Sequence, residues 1–484
     1  MKGTRAITRV VGTLVLAVAS LSGIGAVVPA TSPDNTIEDF IDSAMPASAA
    51  PGVAYAVVRD GEIASAGARG VVTLGSDIPV TPDTPFVIGS ISKSFAALSV
   101  MQLVEAGELD LSAELSRYLD EFAGKPAGAI TIRQLLSHTS GYSTSQGNAR
   151  HPDVTGEKDE LARGVDQLAE VAPAYGPNEK WEYSNANYEI LGRVIEVVSG
   201  QEYQTYVARH ILEPVGMDHS FVADGEVHQD MATGHVPWFG TKLPLTGGMT
   251  DRATAPQGGV IASASDLALY LNMMLNGQDD VLSAKGKALM LRPASEVSPH
   301  YGFGWYVDSD SGVAWHAGIS PGVETLATLI PAENKAVIVL VNSGSGMGFG
   351  ETDQLRIGIS DLALGLNSYD PGATWNRQAL SVGLLILPVF YLFSMVWAWL
   401  RRAKVRAKKS SISGKFSLWF PLLSTLVAAW ILLVMVPNLN GTPLNHWAVF
   451  QPDAVLTFVV AAATGVLWAG FRLGVAYAGK SSPA

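Results

Sequence analysis

A chain of 484 residues has room for two or three domains, and its formal charge of −12 is unevenly spread. Residues 31–376 carry a net −24, while residues 377–484 hold ten Lys/Arg against Asp453 alone. The acidic middle excludes nucleic-acid binding through phosphate neutralisation, and the lack of cysteine excludes disulfides, zinc–thiolate sites, iron–sulfur clusters and a cysteine nucleophile.

The chain opens with Lys2, Arg5 and Arg9, then an apolar run and the small-residue sequence VPA ending at Ala30. That order reads as an export signal peptide over residues 1–30, cleaved or kept as an anchor. An exported domain is expected over 31–365. It starts with GVAYAVVRDGEIASAGARGVV, two alternating runs around Asp60-Gly61, a hairpin signature. It closes with the strand-like runs GFGWYVD, VAWHAG, VETLATLI and KAVIVLVN. Between these groups the pattern is helical, as in SKSFAALSVMQLVEAG, ANYEILGRVIEVVSG and ASDLALYLNMMLNG, each ending at a glycine suited to a C-cap. Strands at both ends with helices between predict an α/β fold: one antiparallel sheet built from both ends of the domain, flanked by helices, with an inserted helical region.

Residues 366–378 read as a linker to a membrane segment over 379–473, with 474–484 left as a cytoplasmic tail. Three uncharged runs, 380–400, 416–436 and 454–471, are long enough to cross ~30 Å of hydrocarbon as transmembrane helices. The loop 401–415 carries seven basic residues and no acid, whereas the loop 437–453 has no Lys or Arg. Positive charge marks the cytoplasmic side, so the first span runs from outside to inside and 31–376 lies outside. The export signal predicts the same orientation. The expected location is therefore the cell membrane, multi-pass, with the large domain on the extracytoplasmic side.

In FVIGSISKSF, Ser90 and Lys93 form an S-x-x-K pattern that a chain of this length contains roughly once by chance. On a helix the two share a face. Ser90 would sit at the helix N-terminus, where backbone N–H groups favour developing negative charge. Lys93, desolvated by Ile91 and Phe95, would lose charge and accept the serine proton. The bland alternative is an N-cap serine beside a solvated lysine.

Three distant segments bear on that choice. They are His138-Thr139-Ser140-Gly141, then Tyr183-Ser184-Asn185 ahead of a helical pattern, then His316-Ala317-Gly318 on a late strand. With S-x-x-K, Y-x-N and H-x-G in this order, the chain resembles the serine β-lactamase-like hydrolases, in the branch of class C β-lactamases, DD-peptidases and esterases. GYSTS, ILEPVGMDHS and GGVIASASDLALYLNMML extend the likeness, which covers about residues 37–365. The resemblance implies a β-lactamase/transpeptidase-like fold with its active site where sheet and helical region meet. It implies that Ser90 is the acylated nucleophile and that Lys93 and Tyr183 share the acid–base work, with the order left open. Asn185 would orient the substrate carbonyl or amide, and His316 would fill the first position of the third motif. Gly318 would let substrate approach the strand edge, and the N–H groups of Ser90 and Ile319 would form the oxyanion hole. His138 becomes a buried, hydrogen-bonded structural residue.

Tyr270-Leu271-Asn272 also fits Y-x-N, but its helical spacing makes Tyr270 a packing residue. His228 and His235 have poor metal spacing and no H-E-x-x-H occurs, so no metal and no cofactor are expected. A histidine at 316 is only partly charged near neutral pH and suits a substrate carboxylate less well than lysine. The expected activity is a D-amino-acid peptidase, amidase or esterase of the cell envelope, with weak β-lactamase or penicillin-binding activity beside it. Its substrates would be small acyl or peptide compounds, peptidoglycan-derived ones among them. The alternatives are a slow-acylating membrane sensor, for which the chain offers no intracellular output domain, and a substrate-binding pseudoenzyme.

Overall fold

The computed structural model describes residues 36–149, 157–226, 228, 230–245, 251–347, 349–367 and 375–478. The signal-like segment 1–30 and most of the linker lie outside the described residues. The chain forms two compact units.

In the larger unit, β1 (Gly52–Arg59) and β2 (Glu62–Gly70) form the hairpin read from Asp60-Gly61. Arg59 faces Glu62, and the two turn residues have φ of 52° and 85°. Both are positive, the I′ geometry that Asp-Gly favours. The further strands are β3 (Phe86–Val87), β4 (Phe221–Val222), β5 (His235–Trp238), β6 (Thr241–Pro244), β7 (Val260–Ala262), β8 (Tyr306–Val307), β9 (Ala314–Ser320), β10 (Val323–Ile330) and β11 (Lys335–Val341). The main sheet runs β2-β1-β11-β10-β9-β8 and is antiparallel throughout. The hairpin from one end of the domain thus docks on the last strand of the other end, as the run order predicts.

Both sheet faces are covered, which explains the continuous apolar runs. Side chains alternate along a strand. Val53, Tyr55 and Val57 of β1, with Val337, Val339 and Val341 of β11, pack under α1 (Ile37–Ser48) and α5 (Glu351–Leu364). Ala54, Ala56 and Val58, with Ala336, Ile338 and Leu340, face the helical region on the other side. Each such valine or leucine buried contributes about 1.5–3 kcal/mol. The helical region is built around α2 (Ser92–Glu105), α3 (Asn185–Ser199) and α4 (Ala264–Leu275). Helix α2 is buried on nearly all sides from Ser92 to Leu103, as a central helix must be. Glycines follow where the sequence puts them: Gly107, Gly200 and Gly277 all have positive φ just past the helix ends.

One strand expectation is shortened. Of GFGWYVD only Tyr306–Val307 is strand. Gly304 has φ of 77°, and a Cβ there would lie 2.7 Å from the Ser94 Cα. The first half of the run is therefore a loop pressed against the start of α2.

The second unit carries α6 (Trp375–Leu400), α7 (Ile412–Trp430) and α8 (Pro452–Tyr477). Asn376–Leu400, Ile412–Leu439 and Pro452–Tyr477 are long and apolar enough to cross a membrane. All three outrun the 380–400, 416–436 and 454–471 read from hydropathy, because the helices take in polar flanks such as 376–379, 412–415 and 472–477. Helix α8 takes in Arg472 and the first residues of the expected tail.

Candidate active site

Ser90 sits in the single 3₁₀ turn Gly89–Ile91 that leads into α2, one turn ahead of Lys93. That turn is wedged against the edge of β9. Gly89 has φ of 55°, and a Cβ on it would lie 2.8 Å from the Ile319 nitrogen. A Cβ on Gly318 would fall 1.9 Å from the Ile88 carbonyl oxygen and 2.1 Å from Thr325 Oγ1. The missing side chain at Gly318 makes room for the backbone just ahead of the Gly89–Ile91 turn. Gly318→Ala is expected to cost about 1–3 kcal/mol, since the obstructing atom is backbone. A lowered thermal midpoint, with loss of activity, checks it.

Lys93 is fully buried, so the solvated-lysine alternative does not hold. Its Nζ lies 3.1 Å from Ser90 Oγ, 2.9 Å from Asn185 Oδ1 and 2.7 Å from the Gln257 carbonyl. It also stands 4.9 Å from the centre of the Tyr183 ring. Burial holds its pKa well below the usual lysine value, against a smaller opposing effect of the Glu189 carboxylate. The amide oxygen of Asn185 and the carbonyl of Gln257 can only accept. In its neutral form the amine gives both its protons to them and turns its lone pair to the Ser90 hydroxyl. This arrangement can take a proton from serine.

The Tyr183 hydroxyl is the second hydrogen-bond partner of Ser90, and burial drives its pKa well above the usual phenol value. The phenol is thus neutral and can donate. Its placement depends on His138, which is buried with φ of 57°. The His138 carbonyl accepts from Glu182 N–H at 3.0 Å, and its Nδ1 accepts from Ser184 N–H at 3.2 Å. Asn187 Nδ2 lies 3.0 Å from the same Nδ1, and the imidazole packs 4.4 Å from the Tyr183 ring. The chain on both sides of Tyr183 is therefore pinned to one histidine.

The structure brings Ser90, Lys93, Tyr183 and Asn185 together, and sets Ile319 N beside the Gly89–Ile91 turn. His316 lies 6.2 Å from Tyr183, ring centre to ring centre. One expectation for it is corrected: it is not partly charged. Burial pushes its pKa down to about 3. Sequence reasoning did not find Gln257, Asn187 or Tyr301. Gln257 acts through its carbonyl, which any residue type supplies. Tyr270, by contrast, packs as expected, stacked 4.2 Å from Phe95. His235 is buried between the Asn342 carbonyl and Leu74 N–H.

A family model described as Beta-lactamase matches residues 36–360. The chain belongs to the β-lactamase family. It is a serine hydrolase of that family with a β-lactamase/transpeptidase-like fold. Penicillin-binding protein 4 of Amycolatopsis lactamdurans is 32% identical over 338 residues, covering 65% of this chain and 86% of that one. Protein flp of Staphylococcus aureus (strain MRSA252) is 26% identical over 433 residues, 85% of this chain and 84% of its own. That second alignment is longer than the stretch matched to the β-lactamase family. Among solved structures, the octameric penicillin-binding protein homologue from Pyrococcus abyssi has a TM-score of 0.59 at 28% identity, covering 68% of this chain and 77% of that one.

Proposed function

We propose that this chain is a membrane-tethered serine acyl hydrolase working outside the cytoplasmic membrane through an acyl-enzyme on Ser90. The observation that carries the reading is the environment of Lys93 Nζ: a buried amine with two obligate acceptors and one serine hydroxyl. In acylation the Ser90 proton passes to Lys93 as Oγ bonds to the substrate carbonyl carbon. The N–H groups of Ser90 and Ile319 stabilise the oxyanion, each worth about 2.7–4 kcal/mol of barrier. The tetrahedral intermediate then breaks its bond to the leaving group, which takes the Tyr183 proton, and Lys93 returns a proton to the phenol. Water attacks the ester by the reverse path, giving the acid and free Ser90.

The substrates proposed are D-amino-acid peptides, amides or esters of the cell envelope. The seven basic residues of the 401–415 loop support an orientation with that loop inside and the catalytic unit outside. The name of the Amycolatopsis relative, penicillin-binding protein 4, supports slow acylation by penicillins as a side activity. The test uses the full-length protein in detergent with a fluorophosphonate, a labelled penicillin, p-nitrophenyl esters and D-alanyl peptides. Intact mass should show one adduct on Ser90, and at least one ester or D-alanyl compound should turn over. If every compound is left untouched and no adduct forms, the hydrolase reading fails.

A further inference from the structure

The stretch 401–415 that joins α6 to α7 is basic, and it is held in place. Its short helix Arg402–Ala407 buries Val405 in a cluster with Leu418 of α7 and Val475 and Ala476 of α8. Arg406 donates to the carbonyls of Val475 at 3.2 Å and Ala478 at 2.8 Å, where α8 ends. Lys408 Nζ donates to Ser417 Oγ of α7 at 2.8 Å. Two of the seven basic residues thus tie the stretch to the ends of both helices. The other five, Arg401, Arg402, Lys404, Lys409 and Lys415, are exposed. Arg401 and Arg402 lie 5.0 and 5.5 Å from the rings of Trp397 and Trp399, a residue type that seats at headgroup depth. Apolar side chains stand among these cations: Ile412 is 89% exposed and Phe416 65%.

We infer that this docked stretch is a binding site for anionic phospholipid, its free cations taking headgroup phosphates while Ile412 and Phe416 meet the acyl chains. The site stands apart from the chemistry of Ser90. Membrane orientation alone asks only for an excess of positive charge; it does not ask that the charged stretch be fixed to the helix ends. Nor does this part of the chain supply its own counter-charge. The one acidic residue of 377–484, Asp453, lies in the first turn of α8, whereas Arg406 holds the end of that helix. Across the 26 residues of α8 those ends are about 39 Å apart, beyond useful reach of a screened charge. A stretch between two membrane spans instead faces the bilayer surface, where anionic lipid attracts each cation. A free phosphate would answer the cations and leave Ile412 and Phe416 in water. A lipid answers both.

The test titrates the full-length protein, in a neutral detergent, with phosphatidylglycerol, phosphatidylcholine or inorganic phosphate, and counts bound lipid by native mass spectrometry. Phosphatidylglycerol should bind about tenfold or more tighter than phosphatidylcholine, and added salt should narrow that gap. Each exposed cation is worth about fivefold. The combined Lys404→Gln, Lys409→Gln and Lys415→Gln variant should therefore lose most of the preference. It keeps Arg406 and Lys408, so the helix ends stay tied and its thermal midpoint in phosphatidylcholine should match the wild type. Equal binding of the two lipids by the wild type overturns the site, and so does a preference that survives the triple substitution. Inorganic phosphate that displaces phosphatidylglycerol at equal concentration would mark a plain anion site and overturn the lipid assignment. Should the triple variant fail to fold, the wild-type lipid comparison and its salt dependence decide the matter alone.

Discussion

Ser90→Ala is expected to abolish fluorophosphonate labelling and to lower turnover of the best ester by on the order of 10⁴-fold or more, as loss of a serine nucleophile does elsewhere. Neither neighbouring serine on the same helix is placed to substitute. Ser92 Oγ is buried and accepts from Val260 N–H at 2.9 Å, holding β7 to the helix. Ser94 Oγ is buried and donates to the Ile91 carbonyl at 2.8 Å. Of these three serines, Ser90 alone combines partial exposure with contact to both Lys93 and Tyr183. The fold should survive the change, because Ser90 Oγ bonds side chains and anchors no backbone group; an unchanged thermal midpoint separates lost chemistry from lost structure. Labelling that persists in the alanine variant would move the nucleophile elsewhere and void the mechanism.

What the sequence makes legible here is pattern and order. Asp60-Gly61 specifies a turn by its backbone demands, so the hairpin can be read without knowing what it packs on. Three long apolar runs identify helices able to span a membrane because hydrocarbon imposes a minimum length. Ser90, Lys93, Tyr183 and Asn185 are legible because their types and order carry the chemistry, although they lie up to 95 residues apart. What stays hidden depends on approach in three dimensions. Gly318 reads as an opening for substrate, and the Ile88 carbonyl that a Cβ there would meet is not visible in the sequence. His316 reads as half-charged because 6.5 is the ordinary imidazole value; its burial, and the Tyr301 hydroxyl 3.2 Å from its Nε2, come from approach in three dimensions. His138 is foreseen as structural, yet its grip on the backbone either side of Tyr183 cannot be read from HTSG. Chemistry-bearing residue types are visible in one dimension, while the groups that aim them are often backbone.

The pH profile of kcat/KM separates the two candidate bases, with Lys93→Met and Tyr183→Phe as the probes. If Lys93 takes the serine proton, the enzyme is inactive while the amine is an ammonium, and rate rises with pH as that proton leaves. Burial lowers the Lys93 pKa, so this ascending limb lies below the ordinary lysine range of about 10.4. The Tyr183 pKa is shifted the other way, so the phenol keeps its proton at neutral pH and contributes no ascending limb there. His316, with a pKa of about 3, and His138, held well below 6.5, are already neutral above pH 7 and add no inflection. Lys93→Met should therefore remove the limb and cut kcat/KM by about 10³-fold or more. Tyr183→Phe should cost about 10²–10⁴-fold, the worth of one acid–base group, with the limb retained. The two roles exchange if the data do: a limb that survives Lys93→Met and vanishes in Tyr183→Phe would make a phenolate the base. That outcome would require the buried phenol to ionise beside a charged lysine, which desolvation of both groups opposes. The lysine's two carbonyl acceptors leave its lone pair one direction to point, and that direction is Ser90.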